Sequence, residues 1–446
     1  MPLFKISADA NAGVTPQDPA RTSQVRTVAL SGYLGSTIEF YDFLLYGTSA
    51  ALVFDVLFFP DLDPVAGNLA ALGTFAAGYL ARPLGGVIFG HFGDKLGRKS
   101  MLLLTMGIMG TASFLIGVLP TYSQIGIWAP ALLVLLRLAQ GVAIGGEWGG
   151  AALMTAEHSQ PLRRGFWASL TQMGGASGTL LSSGAIAVFS SLPEDQFLSW
   201  GWRVPFLLSI ALLGVGLLVR LKVAESPVFA RAKRAGDIAR SPVAEVLRRH
   251  PLNLLRALSI GFGAFVANTL LTAFVTSYGK SIGYSATETL TAVATAAGLS
   301  LITIPAFAAL SDRVGRRPVI LGGAVGMVVA AFPLFWLINA NDAGLLTLAV
   351  ILGNTLLFPA MYAPLAACFA EMFGTGARYT GASLGYQLAS TLGAGFAPLI
   401  AGSLLSGGGG GENTTWVSIF LAGAAAITAV AMWATPETRG HDLHTM

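Results

Sequence analysis

The chain has 446 residues, of which 54% are hydrophobic and only 11% charged, and its mean hydropathy is +0.68. A soluble globular chain carries about a quarter charged residues, so this composition excludes an ordinary soluble enzyme and points to a membrane protein. The net charge of +4 is no sign of nucleic-acid binding, because the basic residues are confined to one side of a membrane rather than clustered on a soluble face, and the single cysteine, Cys368, permits no internal disulfide.

The first 26 residues are polar, lack the apolar core of a cleavable signal, and are expected to form a disordered tail. A span needs about 20 mostly apolar residues to cross ~30 Å of hydrocarbon. Six such stretches run near 28–52, 66–90, 100–119, 127–154, 166–190 and 203–221, and six more near 253–278, 289–310, 318–338, 344–369, 379–405 and 416–434. A hydrophilic stretch separates the two sets; it carries Arg231, Lys233, Arg234, Arg240, Arg248 and Arg249, with turns marked by Pro227 and Pro242. The expected architecture is therefore an all-α integral membrane protein of twelve transmembrane helices in two pseudo-symmetric six-helix bundles. Its parts are an N-terminal tail (1–27), a first bundle (28–221), a central loop (222–252), a second bundle (253–434) and a C-terminal tail (435–446).

Nearly all of the 26 Lys and Arg lie in loops that an even number of spans places on one face, so both termini and the central loop are expected in the cytoplasm. The opposite loops carry Asp55, Asp61, Asp63, Glu194, Asp195 and Asp342. Among the 55 glycines, Gly145, Gly146, Gly149 and Gly150 give the fourth span a small-residue face suited to close packing. Pro83, Pro305, Pro359, Pro364 and Pro398 are expected to bend their helices, and the run from Gly407 to Gly411 to form a flexible outer loop without a function.

The two halves repeat. Gly90-His-Phe-Gly-Asp-Lys-Leu-Gly-Arg-Lys99 recurs as Ala308-Ala-Leu-Ser-Asp-Arg-Val-Gly-Arg-Arg317, matching Asp94, Gly97 and Arg98 to Asp312, Gly315 and Arg316 at an offset of 218, from 94 to 312. Glu157, Arg164, Ala168, Ser169 and Leu170 match Glu371, Arg378, Ala382, Ser383 and Leu384 at an offset of 214, from 157 to 371. Even the ends of the halves are alike, Ala-Glu225-Ser226-Pro against Pro-Glu437-Thr438-Arg. Parallel six-span repeats around a central cavity are the architecture of carriers whose halves rock against each other.

Ionisable side chains inside the spans point to the transport site. Glu39 and Asp42 lie three residues apart in the first span, Arg82 in the second, and Arg137 and Glu147 in the fourth. A charge at the bilayer centre costs at least ~2.5–3.5 kcal/mol, so five in one half imply a polar interior. Glu39 and Asp42 are the candidates for proton coupling. Arginine cannot deprotonate and grips carboxylates bidentately, so Arg82 and Arg137 are candidates for binding an anionic substrate or for counter-ions, with Glu147, Tyr41 and Gln172 beside them. The second half offers polar groups such as Tyr386 and Gln387 to shape the pocket. The competing reading of Arg137 and Glu147 is an ion-pair network that holds the first half together. An enzyme would need a nucleophile with a base, or metal ligands; none of the five histidines pairs at ligand spacing, so no cofactor or metal is expected.

The Gly90–Lys99 turn and its second copy resemble the loop signature of the major facilitator superfamily. The resemblance narrows with Ile38-Glu-Phe-Tyr-Asp-Phe43, Ala81-Arg-Pro-Leu-Gly-Gly86, Gly145-Gly-Glu-Trp-Gly-Gly150 and Ser199-Trp-Gly-Trp-Arg-Val-Pro-Phe206, which are similar to the metabolite:H+ symporter family, and to its shikimate-type branch through Glu371-Met-Phe373 and Arg378-Tyr-Thr-Gly-Ala382. That family carries shikimate, 2-oxoglutarate, citrate or proline and betaine with protons. The resemblance implies that Arg82 is essential, that Glu39 or Asp42 couples the proton, and that Asp94, Arg98, Glu157, Asp312, Arg316, Glu371 and Arg378 form a cytoplasmic gate. The expected partners are a small-molecule substrate, protons and the bilayer, with no nucleic acid and the chain acting as a monomer. A zwitterionic osmolyte as substrate, or a facilitator that moves no proton, are the alternatives.

Overall fold

The computed structural model describes residues 19–223, 225, 226, 229–231, 234, 242–407 and 413–441. Residues 1–18 of the tail, Pro227, Lys233 and Arg240 of the central loop, the run 408–411 and the C-terminal tail beyond 441 lie outside them. The described residues form helices joined by short turns, with no strand among them.

Six helices make the first half: α1 (Pro19–Ser49, continued through a π turn at Ala50–Phe54 into Asp55–Phe58), α2 (Pro64–Leu96), α3 (Arg98–Val118), α4 (Trp128–His158), α5 (Arg164–Ser190) and α6 (Glu194–Leu221). Six make the second: α7 (Pro251–Ser281), α8 (Thr287–Val314), α9 (Arg316–Ile338), α10 (Ala343–Met372), α11 (Thr375–Gly407) and α12 (Thr415–Trp433). Among the described residues, nine of these are long and apolar enough to cross a membrane, and bent α1 makes a tenth. The other two, α2 and α5, have the length, at 33 and 27 residues. Their apolar character is diluted by Arg82, His91, Asp94 and Lys95 in α2 and by serines, threonines and Gln172 in α5, although each still turns large apolar side chains outward, among them Leu80 and Leu84 of α2 and Leu181 and Val188 of α5.

Helix α1 starts at Pro19, before the expected edge of the first span, and part of the central loop is itself a helix, Pro242–Arg249. Twelve spans return the chain to the face where it began, called the terminal face below. Within the first half α1 packs along α5 and α2 along α4; within the second α12 packs along α7 and α9. The halves meet along α2 with α11 and α5 with α8, pairs that the 218 and 214 offsets relate to each other.

The repeated turns need their glycines. Gly97 and Gly315 have φ of 116° and 110°, which a Cβ would resist. Pro83 and Pro305 lie inside continuous helices, whereas Pro359 and Pro398 follow π turns at Leu352–Leu357 and Thr391–Gly395. Proline removes a backbone donor and clashes with the preceding turn, and a wider turn there relieves both problems.

Candidate transport site

Glu39 and Asp42 are both buried in the middle of α1, but they face different neighbours. Glu39 looks toward the seam between the halves: Arg82 and Arg220 are the cations in electrostatic reach, the Tyr362 and Tyr386 rings of the second half lie near it, and its Oε2 has no hydrogen-bond partner. Asp42 turns into the first bundle. Its Oδ1 accepts from Ser209 Oγ of α6 at 2.5 Å, Ser113 of α3 and Arg137 of α4 stand beside it, and its Oδ2 is unpartnered. Tyr41 does not join the seam either; its hydroxyl donates to the Pro205 carbonyl of α6 at 2.9 Å.

The two mid-span arginines flank one ring. Both guanidinium carbons lie 4.1 Å from the Phe43 ring centroid, Arg82 also standing over Tyr79 at 4.3 Å and Arg137 over Tyr46 at 4.3 Å. Aromatic faces stabilise a desolvated cation without neutralising it, so each guanidinium keeps capacity for an anion. Arg137 Nη1 donates to Gln140 Oε1 at 3.2 Å, and Gln140 in turn to Ser113, which completes the polar network around Asp42. Arg82 instead reaches across the seam, Nη1 donating to Ser390 Oγ of α11 at 3.3 Å, while its Nε has no partner.

Around Arg82 and Glu39 the seam is aromatic and amide-rich. Trp148 of α4 stacks on Tyr386 of α11 at 3.5 Å, and its indole N–H donates to Gln172 Oε1 at 2.5 Å. The Gln172 amide donates to the Tyr362 carbonyl at 3.1 Å, and the Tyr362 and Tyr386 hydroxyls lie 3.0 Å apart. Gln387 donates to the carbonyls of Ile144 and Gly145, each at 3.3 Å, and Tyr379 to that of Gly146 at 2.7 Å. Gly149 leaves room for the opposing helix, since a Cβ there would meet Ser383, whereas Gly145 and Gly146 admit α2 of the same half, a Cβ on them meeting the Arg82 carbonyl and the Phe89 side chain.

Toward the terminal face the halves are tied by two matching ionic clusters. In the first, Arg98 pairs with Glu157, Ser226 Oγ also donates to Glu157, and Glu225 accepts from the Lys99 N–H at 3.2 Å. In the second, Arg316 pairs with Asp312 at 2.6 Å and Glu371 at 3.3 Å, Thr438 Oγ1 donates to Glu371 at 2.9 Å, and Glu437 accepts from the N–H groups of Arg316 and Arg317 at 2.9 and 3.0 Å. Burial works against the Glu437 carboxylate, but the N–H groups of Arg439, Arg316 and Arg317 outweigh it and hold its pKa below the ordinary value.

Each cluster also grips the other half. Arg378 pairs with Glu157 at 3.1 Å and Arg164 with Glu371 at 2.8 Å. Asp94 accepts from the N–H groups of Tyr379 and Thr380 at 3.1 and 2.9 Å, and Asp312 from those of Gly165 and Phe166 at 2.9 and 2.8 Å. An aspartate at the first turn of the opposing helix satisfies orphan N–H groups and meets the positive end of its dipole.

Among the participants not singled out from the sequence are Arg164, Trp148 and Arg220. Arg164 was legible in the 214 offset that pairs it with Arg378. Trp148 lay within a quoted motif, with nothing in one chain's pattern to say that it meets Tyr386. Arg220 pairs with Glu147; it lies at the edge of its span, where an arginine ordinarily reaches for water. Among the described residues no group of three or more His, Cys, Asp or Glu is placed to hold a metal ion.

The major facilitator superfamily profile matches residues 44–385. The chain is 43% identical to the shikimate transporter of Escherichia coli K12 over 92% of its own length and 94% of the relative's. It is 36% identical to the inner membrane metabolite transport protein YhjE of the same strain, covering 93% and 95%, and 36% identical to that strain's proline/betaine transporter, covering 86% and 78%. Among solved structures it is similar to the proton:xylose symporter XylE bound to 6-bromo-6-deoxy-D-glucose, with a TM-score of 0.78 at 17% identity over 95% of this chain and 98% of that one. These relatives are membrane transporters and not enzymes. The chain thus belongs to the major facilitator superfamily, as a secondary transporter of its metabolite-carrying branch.

Proposed function

We propose that the protein is a proton-coupled symporter that imports a small organic acid by alternating access, with the terminal face and both termini in the cytoplasm. The observation that carries this reading is Arg82, a buried arginine of the first half held between aromatic faces and bonded to Ser390 of the second, beside Glu39 with an unpartnered carboxylate oxygen. An incoming carboxylate takes the open donors of Arg82 as a fork. It then competes with Glu39 for that cation, and protonation of Glu39 removes the competition. Loading of proton and acid is thereby mutually favourable, which is the thermodynamic requirement for symport.

In this account Glu39 holds the transported proton, and Asp42 with Arg137 keeps the first bundle polar and rigid behind it. Trp148, Gln172, Tyr386 and Gln387 wall the site on its terminal side. The ionic clusters at the terminal face form the gate, closed in this conformation, and the state open to the cytoplasm must part every bond between them. A betaine-type substrate is the second reading, favoured by the Trp148, Tyr386, Tyr362 and Phe265 rings, since quaternary ammonium groups bind aromatic cages. Those rings pack against one another, Trp148 stacked on Tyr386 and Phe265 edge-on to Tyr362 and Tyr386, rather than framing an open box, which favours the acid.

Reconstituted vesicles given an inward pH gradient test the reading with labelled shikimate, 2-oxoglutarate, proline and betaine. Accumulation of an acid, abolished by a protonophore, is the expected result. Uptake that only equilibrates, with or without the gradient, would identify a facilitator, and accumulation of betaine alone would favour the second reading.

A further inference from the structure

Glu147 and Arg220 form a buried bidentate pair in which Arg220 donates to both carboxylate oxygens, with Nη1 2.9 Å from Oε2, and Thr105 Oγ1 adds a third donor at 2.9 Å. Three features of the pair are unusual for a structural ion pair. Arg220 is the penultimate residue of α6, so its backbone lies at the membrane edge where such a side chain ordinarily extends outward to water; it points inward instead. The pair packs on Gly35, where a Cβ would come within 2.8 Å of Glu147 Oε1 and 2.9 Å of Arg220 Cζ. Gly35 stands one helical turn of α1, about 6 Å, on the terminal side of Glu39. Arg220 bonds to the Glu147 carboxylate and is also in electrostatic reach of Glu39.

We infer that Glu147 and Arg220 are the proton relay between Glu39 and the terminal face, with Arg220 exchanging carboxylate partners as the proton passes. The inference rests on the proton-symport reading above. In the conformation described, protonated Glu39 leaves Arg220 to Glu147. When the halves move, the O–H bond of Glu39 breaks, a water molecule carries the proton across one turn of α1, and an O–H bond forms on Glu147 as Arg220 shifts to the Glu39 carboxylate. One carboxylic acid, one carboxylate and one guanidinium exist before and after, so no uncompensated charge is created in the low-dielectric interior. In this conformation the gap lined by Gly35, Ile38, Thr105, Met106 and Glu147 is too small for a water, so the transfer waits on movement of the halves, while a cavity on the terminal side, lined by Ser31, Gly32 and Arg220, has room for about one.

The groups facing the pair are few. Glu39 comes from α1, with Arg82 of α2 beyond it; α3 offers Thr105 and the Leu102 carbonyl, which also accepts from Arg220 at 2.7 Å; α11 offers Tyr379. Tyr379 bonds to Gly146, the residue before Glu147. Parting of the halves at that bond opens Glu147 to water on the terminal side, which completes release.

The test compares two activities of the full chain in vesicles, with labelled shikimate as the probe: accumulation driven by a pH gradient, and exchange of internal for external shikimate, which needs no net proton movement. Glu147→Gln is expected to lower accumulation at least tenfold while exchange stays within about twofold of wild type. The double variant Glu147→Gln with Arg220→Gln, which leaves no orphan charge, is expected to behave alike. Accumulation within twofold of wild type in either variant would overturn the relay, as would equal loss of accumulation and exchange in a double variant of wild-type thermal stability. Failure of the wild-type chain to accumulate either shikimate or 2-oxoglutarate under the gradient would overturn the acid-symport reading itself, and the relay with it; if only 2-oxoglutarate accumulates, it replaces shikimate as the probe.

Discussion

Trp148 and Tyr386 stack across the seam with ring centroids 3.5 Å apart and planes 12° from parallel, so the two halves cannot separate at mid-membrane without parting these rings. Such a pair contributes about 0.5–1.5 kcal/mol beyond its buried area, all of it to the conformation in which the rings touch. Trp148→Leu is therefore predicted to shift the population about 2- to 10-fold toward the state open at the terminal face. Thiol labelling of Thr380→Cys in a Cys368→Ser background, in detergent, reads the shift, and an unchanged labelling rate would show that the stack does not bias the equilibrium.

Asp94 bonds to two backbone N–H groups and the hydroxyl of Thr380, all in the other half. Asp94→Asn removes the charge that α11's first turn attracts, roughly 1 kcal/mol at a partly buried helix end. The predicted outcome is slower uptake with substrate affinity retained, since Asp94 lies at the terminal face and not beside Arg82. Binding measured on the purified variant, alongside initial uptake rates, separates the two; parallel loss of binding would remove Asp94 from the gate.

Arg82→Gln is predicted to weaken acid binding roughly 10- to 100-fold, the loss of a charge-assisted hydrogen bond worth about 1.5–3 kcal/mol. Arg82→Lys should recover little, because an ammonium lacks the planar fork and stacks less well between Phe43 and Tyr79. Equal binding by all three proteins would place the substrate elsewhere.

Glu437 gives a pH prediction outside the membrane. Its pKa is held below the ordinary carboxylate value in the folded protein, so the unfolded chain takes up its proton first as the medium is acidified. The stabilisation is complete above the unfolded pKa, near 4.3, and is lost as pH falls through the lower folded value. Glu437→Gln should lower the Tm by about 1–2 °C at pH 7 through loss of the α9 cap. The gap from wild type should close near pH 3, and a gap that persisted there would mean the carboxylate charge is not what holds the cap.

Much of this organisation is written in the chain's own repetition. Asp94 against Asp312 and Glu157 against Glu371 fix which loops correspond, and the structure places each pair in matching clusters. Composition and span length carry the twelve helices because the bilayer leaves few other solutions. Facing was harder to read. Helical spacing of three residues reads as placing Glu39 and Asp42 on one face of α1, but packing parts them, Glu39 meeting the seam and Asp42 meeting Ser209. Arg220 was obscured for a similar reason: charge at a span's edge normally belongs to water, and its inward reach depends on Glu147, in a different helix. The π turns at Leu352–Leu357 and Thr391–Gly395 left no mark beyond the prolines that follow them, and that at Ala50–Phe54 left none, since a single wider turn changes neither hydropathy nor periodicity.

The most direct test of the account is Glu39→Gln in vesicles with an imposed pH gradient and a labelled acid that the wild-type chain accumulates. The variant is predicted to carry the acid down its concentration gradient and to exchange it, yet to accumulate none, with no protonophore effect. Accumulation by Glu39→Gln at the wild-type level, still collapsed by protonophore, would contradict the claim that this carboxyl couples the proton to transport.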